Sequence, residues 1–190
     1  MHLQALITTT ILLLTTSLPQ TTATPLSQPT DEFTLLNCPN TTTPTASPAE
    51  QLSAWIEFTD LMYTHQRLNE AMTKYVAGGY INHAPVVSST GVHATLNELT
   101  AIVPRVDSQL LRAFVGYDTA GNVFGVAHTR VVPLSTATES RTADGEGGHA
   151  AEVKESALVD IIRMVGTCLV EHWDVQQTVE GDEVNPIAFF

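Results

Sequence analysis

An α+β domain, with its helices gathered ahead of its strands, is the fold this sequence predicts. Three observations predict it. Apolar residues recur at helical spacing from Ser47 to about Pro104, the period shortens to two from Leu110 onward, and polar or turn-forming stretches separate the segments. Helices followed by strands pack on one face of a curved, mainly antiparallel sheet. A pocket forms in the hollow between such layers. The domain so read covers about residues 48–180.

The elements follow in chain order. Residues 1–23 read as a secretory signal, with Ile11-Leu12-Leu13-Leu14 central to an apolar run, Pro19 breaking it, and Thr21-Thr22-Ala23 before the cut. Only His2 precedes the run where a signal carries Lys or Arg, so a signal anchor is the lesser alternative. Residues 24–47 read as a flexible Thr/Pro-rich leader, with Phe33, Leu35 and Leu36 docking locally. Ser47-Pro48-Ala49-Glu50 is a capping box opening a helix whose stripe is Leu52, Trp55, Ile56, Met62 and Tyr63. A second helix runs from about Arg67 to Val76 and ends at Gly78-Gly79. An extended segment, Tyr80 to Pro85, precedes a third helix from Gly91 to about Pro104, buried through Leu96, Leu99 and Ile102. Strands are expected over 110–117, 122–132, 157–165 and 168–176. Residues 133–154 read as a mobile loop and 181–190 as a C-terminal tail.

With 43% hydrophobic residues among 190, the chain can bury a core. Twenty acidic residues against eight basic ones give a net charge of −12, which argues against nucleic acid and, once the signal is removed, an anionic membrane as partners. Secretion is the expected localisation. Asn40-Thr41-Thr42 is a glycosylation sequon, and Cys38 and Cys168 are either joined in a disulfide or separate thiols.

Candidate chemistry concentrates in the last two strands. Asp160 and Arg163 interrupt one apolar run, and Glu171, His172 and Asp174 the next. Burying polar groups without partners costs roughly 2–7 kcal/mol, so such a hairpin either carries chemistry or pairs its charges internally. Side chains alternate along a strand, which puts His172 and Asp174 on one face and Glu171, Trp173 and Val175 on the other. Asp160 joins the first face if the hairpin loop has an odd number of residues, as a three-residue Val165-Gly166-Thr167 loop would. Two carboxylates and an imidazole would then converge, with pKa values pushed apart so that one acts as base and a neighbour as acid. The competing reading is an inert network of Asp160–Arg163 or Asp174–His172 pairs. His83, His128 and His172 could hold a metal, but they lack a ligand-like spacing, so no metal and no cofactor is expected.

The order of Trp55-Ile56-Glu57-Phe58, Tyr80-Ile81-Asn82-His83-Ala84-Pro85, Val126-Ala127-His128, Val159-Asp160-Ile161-Ile162-Arg163 and Val170-Glu171-His172-Trp173-Asp174-Val175-Gln176 resembles the SnoaL-like polyketide cyclase group of the nuclear transport factor two-like superfamily. The resemblance implies a cone-shaped α+β barrel with a deep pocket, often a homodimer through its sheet. It also implies cofactor-free aldol chemistry with Asp174 as general acid/base and Asn82 lining the pocket. A family histidine falls where this chain has Asp160, which puts the cyclase reaction itself in question.

The expected function is acid/base catalysis, aldol cyclisation or isomerisation, on a hydrophobic small molecule. Asp174 would be the base and His172 and Asp160 its tuning partners, while Asn82, His83, His128 and Tyr80 would contact substrate. The alternative is a non-catalytic secreted small-molecule-binding module on the same scaffold.

Overall fold

A computed structural model of the chain describes residues 29–134, 154–185 and 187–190. The expected signal and residues 135–153 of the expected loop lie outside them. Helices α1 (Pro29–Leu35), α2 (Pro48–Thr59), α3 (Leu68–Tyr75) and α4 (Val92–Ile102) accompany strands β1 (Val76–Asn82), β2 (Val106–Tyr117), β3 (Val123–Pro133), β4 (Ser156–Val165) and β5 (Cys168–Thr178). The strands make one sheet in the order β1-β5-β4-β3-β2, antiparallel except where β1 runs parallel to β5. Among the described residues the sheet stays open, and helices rather than further strand pairing close the hollow.

Helix α2 begins where its capping box stands: Ser47 Oγ accepts from Glu50 N–H, and the Glu50 carboxylate accepts from Ser47 N–H. Its buried face is Gln51, Trp55, Phe58 and Thr59, whereas Leu52 and Ile56 are 43% and 46% exposed. Trp55, Met62 and Tyr63 of the expected stripe do face the core, but Leu52 and Ile56 lie beside it, with Gln51 and Phe58 in their place. Trp55 sets the phase, because its ring lies where a Cβ at Gly125 of β3 would come within 2.4 Å. Trp55, Phe58, Met72, Tyr75, Tyr80, Ile162 and Leu169 make up much of the main core. A wider π turn at Asp60–Thr64 continues α2.

From Pro29 onward the leader is docked where composition predicts flexibility. Helix α1 leads into a disulfide between Cys38 and Cys168, whose Cα atoms are 6.0 Å apart. Gly78 and Gly79 donate backbone N–H groups to the carbonyls of Asn37 (2.9 Å) and Leu36 (2.8 Å). A Cβ at Gly78 would meet Asn37 Nδ2 at 2.6 Å. The two glycines are thus strand residues that let the leader approach β1, and helix α3 has already ended at Tyr75. Phe33, Leu36 and Cys38 cover a second small core of Ala77, Val165, Cys168 and Val170, while Leu35 stays 84% exposed.

The β4–β5 hairpin reaches the expected facing by a different route. Val165 pairs with Cys168 across a two-residue Gly166-Thr167 turn, with Gly166 at φ +59. That loop alone would pair Asp160 with Trp173 and separate it from His172. Val170 is an extra residue, because pairing passes from Met164↔Leu169 to Arg163↔Glu171, and the bulge restores parity. Asp160 then faces Asp174, and Ile162 faces His172.

Candidate active site

A cavity of about 160 Å³ lies between α2–α4 and the inner face of the sheet. Phe58, Met62, Leu99, Ile102, Val106 and Leu158 are among its apolar walls, and Tyr63, Tyr80, Asn82, Asp160, His172 and Asp174 are among its polar lining. Asp160 and His172 are held by adjacent strands and are 6% and 8% exposed. Two larger surface clefts lie elsewhere, one beside Glu32 and Arg163 and one between Arg67 and Thr100, and neither contains this cluster.

The polar lining forms a chain. Tyr63 Oη donates to Asp160 Oδ2 at 2.7 Å, and Asp160 Oδ1 meets His172 Nε2 at 2.8 Å. His172 Nδ1 lies 2.9 Å from Asn82 Oδ1, which also accepts from Ala84 N–H at 2.9 Å. Asn82 Nδ2 donates to Thr95 Oγ1, and the Thr95 hydroxyl donates to Gly91 O. The Ala84 and Thr95 bonds fix the orientation of the amide, so Nδ1 of His172 can only donate. Its Nε2 then either donates to an Asp160 carboxylate or accepts from an Asp160 carboxylic acid. One proton is shared by that pair.

Asp174 is different. Among the described residues it makes no ion pair and no hydrogen bond to another residue's side chain, only one to its own backbone N–H, although ligand atoms of Asp160, His172 and Asp174 all lie within 4.8 Å of one another. Desolvation pushes its carboxyl above the usual Asp range; His172 opposes this and Asp160 adds to it. Burial also raises Tyr63 and Tyr80 well above the usual phenol range, with the Asp160 charge contributing to both. A proton acceptor that is costly to charge, beside a proton-sharing pair and an apolar void, can take a proton from a neutral carbon acid and return it.

Of the residues expected to touch substrate, Tyr80 and Asn82 line the cavity. His83 and His128 do not. His83 lies one residue beyond β1, on the outer face, stacked on Trp173 at 5.0 Å and bonded to Glu171 Oε1 at 2.9 Å. His128 alternates outward on β3, between inward-facing Ala127 and Thr129; its Nδ1 meets Arg112 and its ring stacks on Phe190. With two of the three histidines outside, a three-histidine metal site does not assemble. Among the described residues, Asp160, His172 and Asp174 form the cluster whose ligand atoms could approach one ion. The inert pairings also differ from expectation: Arg163 points outward to Glu171 (3.0 Å) and Glu32 (2.8 Å), away from Asp160.

Tyr63 and Thr95 are the members of the chain that sequence reasoning missed as site residues. A signal for Tyr63 existed, since a tyrosine on a buried stripe needs a partner for its hydroxyl. Thr95 left none.

No protein-family model and no curated protein matches this sequence. Solved structures do match its fold. A protein from Jannaschia sp. CCS1, provisionally described as a SnoaL-like polyketide cyclase, superposes with a TM-score of 0.50 at 10% identity, over 70% of this chain and 90% of that one. AclR from Streptomyces galilaeus, provisionally described as a hydroxylase, gives 0.46 at 14% identity over 70% and 81%. A protein from Acidithiobacillus ferrooxidans, provisionally described as a polyketide cyclase, gives 0.44 at 16% identity over 66% and 86%. The chain shares its α+β fold, helices packed on one curved five-stranded sheet, with the Jannaschia protein.

Proposed function

We propose that this protein is a secreted, cofactor-independent acid/base catalyst acting on a hydrophobic small molecule, by aldol cyclisation or isomerisation. One observation carries the reading: Asp174 is desolvated, shifted upward and, among the described residues, in no ion pair, at the edge of an apolar cavity. Asp174 removes a proton next to a carbonyl. The His172–Asp160 pair supplies a proton or hydrogen bond to the oxygen that becomes negative, and Asn82 holds the imidazole in place.

The test needs no knowledge of the natural substrate. Neutral ketones incubated with the protein in D2O should exchange their α-protons faster than in buffer, as read by proton NMR, and Asp174→Asn should abolish the gain. Equal exchange with and without protein across the ketone panel would remove the catalytic reading.

A binding module is the second reading, favoured by the way Asp160 is enclosed between Tyr63 and His172. Ligand binding without exchange would select it. The Cys38–Cys168 disulfide supports the secretory route, since such bonds persist in oxidising compartments. Asn40 is exposed and available for a glycan; a glycosidase-sensitive mass shift in material from a secreting host would test both points. Homodimer formation would use the outer sheet face, where Phe114 and Val175 are 51% and 65% exposed, and sedimentation would show it.

A further inference from the structure

We infer that the ligand of this cavity is a neutral compound of about one ring carrying a single carbonyl or hydroxyl oxygen, and not a polycyclic or carboxylated one. The inference rests on the proposed function for which end of the ligand reacts, but its size and charge arguments stand on the walls alone. The void measures about 160 Å³. Pockets for drug-sized ligands run roughly 300–1,000 Å³, whereas an apolar cavity of about 150 Å³ accommodates benzene.

The floor resists enlargement. Phe58 is fixed by stacking on Trp55 (5.6 Å between centroids) and by the edge of Tyr75 (6.2 Å). Tyr63 is tied to Asp160, and Tyr80 is 3% exposed against His172. Moving any of these rings disturbs the core or breaks the hydrogen-bonded chain. Compliance remains toward Val86, which is 60% exposed, and in the side chains of Met62 and Met72. The void can lengthen toward solvent but cannot widen by a second fused ring.

Charge narrows the class further. Among the described residues the lining contains no Lys or Arg, and its ionisable groups are Asp160, Asp174, His172, Tyr63 and Tyr80. A carboxylate or phosphate ligand would face two Asp side chains and one histidine already engaged with Asp160. It would also approach a chain of net charge −12. A cationic ligand would lose its hydration against apolar walls, with Asp174 as the one unpaired carboxylate of the cluster among the described residues. An uncharged oxygen, by contrast, can accept from the His172–Asp160 pair without adding charge to the cavity.

The experiment is a binding series on the full-length protein, read by thermal shift and by amide chemical-shift changes. Its probes are cyclohexanone, 1-tetralone, fluorenone, cyclohexanecarboxylate and cyclohexylammonium. Cyclohexanone should bind at least ten-fold more tightly than fluorenone or either charged analogue, with 1-tetralone between them. Leu99→Ala should narrow the gap between cyclohexanone and 1-tetralone, and Leu158→Ala serves if that variant fails to fold. Tighter binding of fluorenone, of either charged compound, or no binding by any probe, overturns the inference. The two proposals fail separately: cyclohexanone binding without α-proton exchange removes catalysis and leaves the size class. Asp174-dependent exchange confined to multi-ring ketones removes the size class and leaves catalysis.

Discussion

Glu171 and His172 are adjacent in β5, yet each joins a different polar cluster, and the two clusters differ in how far their charges are matched. On the outer face Glu171 accepts from His83 and Arg163, and Arg163 also reaches Glu32. Burial pushes the Glu171 carboxyl up, but these hydrogen bonds and charges outweigh it and hold the group below its usual range. On the inner face Asp174 has His172 nearby but no bond to it, and desolvation leaves it raised. The outer cluster is what a network serving stability looks like. The inner one leaves a carboxylate unmatched beside a void, which is how stability is given up where chemistry is done.

The largest break of this contrast is Asp174→Asn, which should lower ketone α-proton exchange by about 10²–10⁴-fold, measured by NMR in D2O. Glu171→Gln should leave exchange unchanged and cost about 1–2 kcal/mol of stability by denaturant unfolding, between the values for exposed and buried pairs. Because the folded pKa of Glu171 is lowered, its contribution is present above the unfolded carboxylate range and disappears as pH falls through the folded value. The deficit of Glu171→Gln should therefore close in acid. Asp174 has the opposite sign: with its folded pKa raised, its favourable contribution exists below the unfolded value and is lost as pH rises through the folded one. Asp174→Asn should then be slightly more stable than the parent at pH 7, by under about 1 kcal/mol given the partial exposure of the group, and the gain should vanish toward acid. The smallest effect is expected for His83→Ala. It removes a ring stacked on Trp173 and one bond to Glu171, costs about 1 kcal/mol or less, and leaves exchange within two-fold of the parent.

Much of this contrast was legible before any coordinates. Strand alternation separated His172 and Asp174 from Glu171 and Trp173, and the change of period placed the helices ahead of the main run of strands. What was not legible depended on single-residue phase. The true face of α2 passes through Gln51 rather than Leu52, because Trp55 packs into the space left by Gly125. His83 was read as a substrate contact, but at the end of β1 it turns to Trp173. The leader looked unstructured because Thr and Pro are poor core formers, yet from Pro29 onward it is held by backbone hydrogen bonds and a disulfide, which composition does not report.

The unpaired Val170 acts like a spacer in a reading frame. With it, the imidazole of His172 points into the hollow and Glu171 points out. Were Val170 drawn into the ladder opposite Arg163, with the Gly166-Thr167 turn kept, every later residue of β5 would slip by one place, sending Trp173 and Val175 inward and turning His172 and Asp174 to solvent. Which groups line the cavity is therefore decided by one residue staying out of the ladder, with no change at any of those groups themselves.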